Sequence, residues 1–512
     1  MGRPTSRAAV AGAALVAGLF RVLGAALVAA LGFRVVSDDD FARVVIAQRF
    51  AASPKLDPTG TSWLPTPFWI VGGAMKLFGA SLEVARVLAV VSAAGAGALV
   101  AGVAVAAGVR PRRAMAAGLV AAAMPWAMQL AVATVPEVPA AACAAAGAIA
   151  LASTSSSLRI VGAVALFAST TSRYDAWPMA IAFAALTALD ARRAGGRDRV
   201  QLSLAAAIAL AGPVGWSLWQ WTSYGDAFRY LRLVRSYRKA LGAGPSLVER
   251  FVGYPYGVVE ELREALVAGI VGACCALVLE RRNQTEAMGV DWRRPLALAL
   301  LQLLVLIAGD VRDGAPTHHP ERALLGPATI VVFASGDAAF GWLSTLGSTR
   351  ARVAWSAVAA IALASWIGLR LHRSLGWYEG APRPREVAAG RALSVAVPAG
   401  SRVLIDTRDL GGIDYGYYAV LAAFGRPLDA EVDRDQDPRK PRVPSAFEDG
   451  VRLRARLEES AARAALVWGD KRRETACALG GRVVSEETGP AQNATDQANA
   501  PRWAVIVFPT LP

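Results

Sequence analysis

The chain has 512 residues, 54% of them hydrophobic, with 54 Lys and Arg against 40 Asp and Glu for a net charge of +14. Apolar stretches recur from the first residues to about Leu371, which excludes an ordinary soluble enzyme and fits a polytopic membrane protein. Much of the basic excess lies in short loops between those stretches, where it orients the chain, so nucleic acid is excluded as a partner.

The first apolar stretch, Ala8 to Phe33, is about twice as long as a signal-peptide core and reads as an uncleaved span. Arg3 and Arg7 precede it, which puts its start in the cytoplasm and its end outside. Arg21 falls near its middle and has to face the bundle interior or a wet cavity, because an ionised side chain is costly in lipid. Just beyond the span stand Ser37, Asp38, Asp39, Asp40 and Phe41, with a helical pattern from Phe41 to Phe50. Pro67 to Gly79 is apolar but short, and reads as re-entrant or as lying in the interface.

Four basic clusters punctuate the next part: Arg110, Arg112 and Arg113; Arg192, Arg193, Arg197 and Arg199; Arg281, Arg282, Arg293 and Arg294; and Arg350 with Arg352. Placing all of them inside gives spans near residues 8–33, 84–109, 114–133, 138–152, 158–171, 176–190, 201–221, 264–280, 295–309, 323–341 and 353–371. The expectation is a bundle of about 11 to 13 spans in the cytoplasmic membrane, N-terminus inside and C-terminal segment outside. The arrangement is chosen only for the basic loops. It nevertheless sends Asp38 to Asp40, Glu137, Arg173 to Asp175, Tyr224 to Tyr237 and His318 to Arg322 to one face, which points to a site there.

After Leu371 the apolar spans stop. Arg402 to Asp406, Ala464 to Trp468 and Trp503 to Phe508 read as strands, and Phe447 to Ala465 as a helix. The fold class is therefore mainly α: a membrane helix bundle, residues 1–372, followed by a small extramembrane α/β domain, residues 373–512. Cys143, Cys274 and Cys275 sit in apolar spans and Cys477 stands alone, so no disulfide framework is implied.

Transfer of a group from a phosphate to a hydroxyl or amide needs a carboxylate base for the acceptor and cationic groups for the departing phosphate. Asp38, Asp39 and Asp40 offer the base, the alternative being a solvated loop. His318, His319, Glu321 and Arg322 form the densest later cluster. Adjacent histidines point apart and make a poor metal site, whereas Arg322 can fork two phosphate oxygens and an imidazole can donate to a third. Arg229, Arg232, Arg235, Arg238 and Lys239 are spaced for one basic stripe of an amphipathic helix lying in the headgroup plane, an expected contact with membrane lipids.

The run DDDFARVVIAQRF followed by WLPTPFWIVGGAMKLFG is similar to the first outer loop of the GT-C membrane glycosyltransferases, a group that includes protein O-mannosyltransferases and lipid A aminoarabinose transferases. Asp38 and Asp39 match the family's acidic pair, Pro65 to Trp69 its Pro-aromatic step, and Phe78-Gly79 the end of that step. Thr134 to Glu137 resembles the second acidic position, Ser172 to Asp175 the Arg-Tyr-acidic step, and Tyr224-Gly225-Asp226 the start of the long outer loop. The resemblance implies Asp38 as the leading catalytic base and Asp39 as the next, with the register open by one residue. It also implies a basic residue, Arg322 or a histidine, on the lipid phosphate.

The expected protein is thus an inverting glycosyltransferase. It takes a sugar from a polyprenyl-phosphate donor and passes it to a lipid, glycan or protein acceptor, with His318, His319, Glu321, Arg322, Arg173, Asp175 and Glu137 binding substrate or phosphate. No cofactor is required by this reading. A divalent cation, magnesium or manganese, held by Asp38, Asp39 and Glu137 as in some relatives is left open. A transporter or flippase of lipid-linked sugar is the alternative. Against it, the charges cluster at one face rather than at the midplane.

Overall fold

In lipid the backbone must satisfy its own hydrogen bonds, so apolar runs of this length fold as helices. In the computed structural model of the chain, which describes residues 6–242, 246–312, 319–376, 383–407, 414–487 and 502–509, the expected spans fall on helices, except that 114–133 is broken at Met124 into Pro111–Ala123 and Pro125–Gln129. Five are long and apolar enough to cross a membrane: Arg7–Ala30, Leu82–Ala107, Gly196–Tyr224, Arg293–Val311 and Thr349–Arg370. Leu247–Glu261 and Arg263–Arg281, bent by 86° at Leu262, make a sixth if counted as one broken span. The remaining expected spans are shorter or less apolar. Glu137–Ala150 and Ser156–Thr170 have 14 and 15 residues, about 21 to 23 Å of helix against a hydrocarbon core of about 30 Å. Pro67 to Gly79 is the helix Thr66–Phe78.

The chain divides into two compact units. The first comprises Met1–Arg34, Thr59–Pro67 and Val87–Tyr378. Its helices approach closely through small residues, as helices without a hydrophobic drive between them must. A Cβ on Gly147 would stand 2.4 Å from Leu166 Cγ, and one on Gly162 2.6 Å from Ala150 Cβ.

Arg21 lies within a span, but the ion pairs of this unit fall into two sets. Near one end Arg113 pairs with Asp337 at 2.9 Å, and Asp190 receives Arg294 at 2.6 Å and Arg159 at 3.1 Å. Near the other end Arg173 bridges Glu137 and Asp175, Arg238 meets Asp310 at 3.0 Å, and Trp126 donates to Glu261 at 2.8 Å. The helix Arg293–Val311 carries Arg294 at its start and Asp310 at its finish, so the two sets lie a full helix apart. Arg113 and Arg294 themselves come from basic clusters that the sequence pattern assigns to a single side.

The second unit comprises Val35–Pro58, Phe68–Arg86 and Glu379–Pro512. Its sheet contains β1 (Val403–Ile405), β2 (Ala430–Val432), β3 (Ala464–Trp468), β4 (Arg482–Glu486) and β5 (Trp503–Val507) in the order β2-β1-β3-β5-β4. β1 runs parallel to β2 and β3, while β5 is antiparallel to both β3 and β4. One face of the sheet (Val403, Ile405, Leu466, Val505) packs with Leu393 and Val420 of the helices Pro384–Ala396 and Tyr417–Phe424 and with Phe41, Val44 and Met75 from early in the chain. The other face packs with Leu453, Leu457 and Ala476 of the helices Gly450–Ser460 and Asp470–Ala478. The expected helix Phe447 to Ala465 is in fact a 3-10 turn at Ala446–Glu448 and the helix Gly450–Ser460. Asp449 caps that helix by accepting from Val451 N, and Ala461, at φ +51°, ends it and frees Ala464 to open β3.

Candidate functional site

The acidic triplet is not a loop. Asp38, Asp39 and Asp40 form the first turn of the helix Asp38–Ala52, where carboxylates face the positive end of the helix dipole. Asp40 is buried and its Oδ2 accepts from both Val36 N and Ser37 N at 3.1 Å, closing a capping box with Ser37. Asp38 is gripped by Arg383, whose Nε donates to Oδ1 at 2.9 Å and whose Nη2 donates to Oδ2 at 2.8 Å. Arg383 also lies 3.2 Å from Asp414 and 3.5 Å from Glu386. Asp39 is half-buried and, among the described residues, has no ion-pair partner. Three adjacent acids therefore have three different environments: held by a cation, open, and used up as a cap.

In the first unit, Glu137, Arg173, Asp175 and Arg322 line one small polar cavity together with Gln302 and Ser169. Each arrives by a local device. Glu137 opens the helix Glu137–Ala150 after Pro136, where a carboxylate is favoured by the dipole. Arg173 precedes the 3-10 turn Tyr174–Ala176, which turns Asp175 back toward it. Its Nη1 donates to Glu137 Oε1 at 2.6 Å and its Nε to Asp175 Oδ2 at 2.9 Å. Arg322 sits in the short helix Pro320–Ala323, which begins on a proline, with its Nε 3.8 Å from Glu321 Oε1. His319 Nδ1 lies 3.3 Å from the same Glu321 oxygen. His318 lies outside the described residues.

Tyr174, between the two charged members of its motif, points elsewhere. It stacks on Tyr230 with ring centroids 3.8 Å apart and accepts from Trp216 Nε1 at 3.0 Å, in an apolar cluster with Leu64 and Trp177. This cluster anchors the basic helix Arg229–Ala240. The expected single stripe of arginines is split by that anchoring. Arg232, Arg235 and Lys239 are exposed, whereas Arg229 turns to Gly60 O and stacks over Tyr224, and Arg238 turns to Asp310.

Neither Gln302 nor Arg383 has a place among the expectations. Gln302, buried and donating to Ala323 O at 2.9 Å, is a lone amide in an apolar span, and that signal was readable. Arg383 follows the last apolar span in a basic, proline-rich stretch, and nothing local distinguishes it from its neighbours Arg385 and Arg391.

Solved structures share this architecture. The crystal structure of the Archaeoglobus fulgidus oligosaccharyltransferase in the apo form matches with a TM-score of 0.51 at 12% identity, over 90% of this chain and 69% of that one. The crystal structure of ArnT from Cupriavidus metallidurans bound to undecaprenyl phosphate matches with a TM-score of 0.52 at 15% identity, over 95% of this chain and 97% of that one. The chain has the GT-C fold. No family model matches the sequence, and no curated protein does. At these identities the GT-C likeness is one of architecture, and the chemistry has to be argued from the side chains.

Among the described residues no three His, Cys, Asp or Glu side chains are grouped to hold a metal ion. The expected ligands do not fit a divalent cation as they stand. Both oxygens of Asp38 are engaged by Arg383, and Glu137 Oε1 by Arg173.

Proposed function

We propose that this chain is an integral membrane glycosyltransferase that moves a sugar, with inversion, from a polyprenyl-phosphate donor to a lipid, glycan or protein acceptor at the outer face of the cytoplasmic membrane. The observation that carries the reading is the meeting of Glu137, Arg173, Asp175 and Arg322 at one buried polar cavity. Buried charges in a helix bundle are expensive and persist where they serve a substrate path. A GT-C fold around them favours a glycosyl donor over a transported solute, and of the structures sharing that fold, ArnT is bound to undecaprenyl phosphate.

In this reading residues 1–372 bind the donor and residues 373–512 stand on the outer side. Asp38 or Asp39 removes the acceptor proton as the acceptor oxygen or nitrogen attacks the anomeric carbon. The bond from that carbon to the phosphate oxygen breaks, and the phosphate leaves with the electron pair. Arg322 and His319 or His318 stabilise the departing charge through charge-assisted hydrogen bonds. Glu137 and Asp175 fix the Arg173 guanidinium at the cavity.

The test is release of polyprenyl phosphate from a radiolabelled polyprenyl-phosphate sugar by the purified protein supplied with membrane-extract acceptors. Release that depends on Asp38 or Asp39 supports the reading. Folded protein that releases none, or that moves the intact donor across a vesicle bilayer, overturns it.

A further inference from the structure

Arg21 is 6% exposed near the middle of the span Arg7–Ala30. Its Nη1 donates to Ala127 O at 3.2 Å, and among the described residues its Nε finds no acceptor. Among the described residues no carboxylate pairs with it. An arginine keeps its proton in any protein environment, so the positive charge stays. A carbonyl oxygen satisfies one N–H but does not cancel the charge. Burial of an ion in a low-dielectric bundle is tolerated when a counter-charge is close.

Arg21 lines a small cavity together with Gly97, Gly118, Ala142, Thr329 and Phe333. Gly97 brings its backbone against the arginine stem, since a Cβ there would meet Arg21 Cγ at 2.9 Å. The Thr329 hydroxyl donates to Leu325 O at 2.8 Å, which leaves Arg21 as the charged donor facing the space. We infer that this cavity is an anion site that holds one monatomic anion, chloride, against Arg21. Phosphate and carboxylate are too large for the space, and a water there leaves the charge uncompensated. Ala141 lines both this cavity and the Glu137–Arg173 cavity, so the anion sits one helix face away from the proposed donor site without being part of it.

The test uses the full-length protein purified in detergent in sodium gluconate, into which sodium chloride or bromide is exchanged at constant ionic strength while thermal unfolding is followed. The wild type is expected to show a saturable upward shift of its midpoint with either halide. Arg21→Gln, which keeps length and removes charge, is expected to lose that shift. Ala142→Val, which keeps the guanidinium and fills the cavity, is expected to lose it as well. No shift in the wild type, or an equal shift in Arg21→Gln, overturns the site. Should Arg21→Gln fail to fold, a wild-type shift retained in Ala142→Val overturns it, and a shift lost there supports it.

Discussion

Arg383 and Asp38 form a bidentate ion pair across 345 residues of sequence, with Nε to Oδ1 at 2.9 Å and Nη2 to Oδ2 at 2.8 Å. The arginine holds this pose from the left-handed region, at φ +47°. That conformation costs a non-glycine residue about 1 to 2 kcal/mol, so its contacts with Asp38, Glu386 and Asp414 must offset the strain. A planar fork on both oxygens fixes the plane of a carboxylate. If Asp38 is the base, Arg383→Gln should lower kcat and leave the KM for donor unchanged, with Arg383→Lys recovering only part of the loss. Steady-state kinetics with varied donor concentration checks this. An unchanged kcat in Arg383→Gln would separate the ion pair from catalysis.

The three acids of the first turn should respond separately. Asp38→Asn or Asp39→Asn is expected to cut turnover on the order of 10²-fold at whichever is the base. Asp40→Ala is expected to spare turnover and to lose its cap, at a cost of about 0.5 to 2 kcal/mol. Turnover assays set beside thermal unfolding distinguish the two kinds of loss.

Arg322→Lys tests the phosphate role. Lysine keeps the charge but gives up the fork, so polyprenyl-phosphate binding should weaken by about 1 to 3 kcal/mol, with insertion and expression unchanged. Direct lipid binding to the purified variant measures it, and wild-type affinity would remove Arg322 from the donor site.

Asp406, at the end of β1, provides a pH dependence. Its burial pushes its carboxyl up to about 6, an effect only partly offset by Arg472 at 2.7 Å and by the Trp468 N–H. The folded state then binds the proton more tightly than the unfolded chain does. This contribution is fully present below the unfolded value near 4 and is lost as the pH rises through about 6. Amide exchange of Val403–Ile405 between pH 4 and 7 should show protection falling across that window in the wild type, and a flatter profile in Asp406→Asn.

The bundle was legible because apolar length and basic loops are local, cumulative signals. The cavity was half legible. Glu137, Arg173, Asp175 and Arg322 each stand out as charges at the edge of apolar runs, but the sequence does not say that Arg173 will bridge two of the others. That depends on a 3-10 turn after Arg173 and on the Tyr174–Tyr230 stack that turns the intervening ring away. The capping role of Asp40 was written in the spacing from Ser37 yet hidden by two identical neighbours. Arg383 was not legible, because an ion pair between remote segments leaves no trace in either one.

Gln48 donates to Ala80 O at 3.1 Å and to Ala422 O at 2.9 Å, so a single amide ties the Asp38–Ala52 helix to a neighbour early in the chain and to one near its end. During synthesis the early partners therefore exist long before the late one. Roughly 290 residues separate Arg86 from Glu379, which at ribosomal speed is a delay of about 15 to 60 s. For that interval Phe41, Val44 and Met75 present an apolar face whose cover has not yet been made. A chain stopped ahead of Glu379 would keep that face bare for good, so quality control should recognise truncated forms by it even when every membrane span is in place.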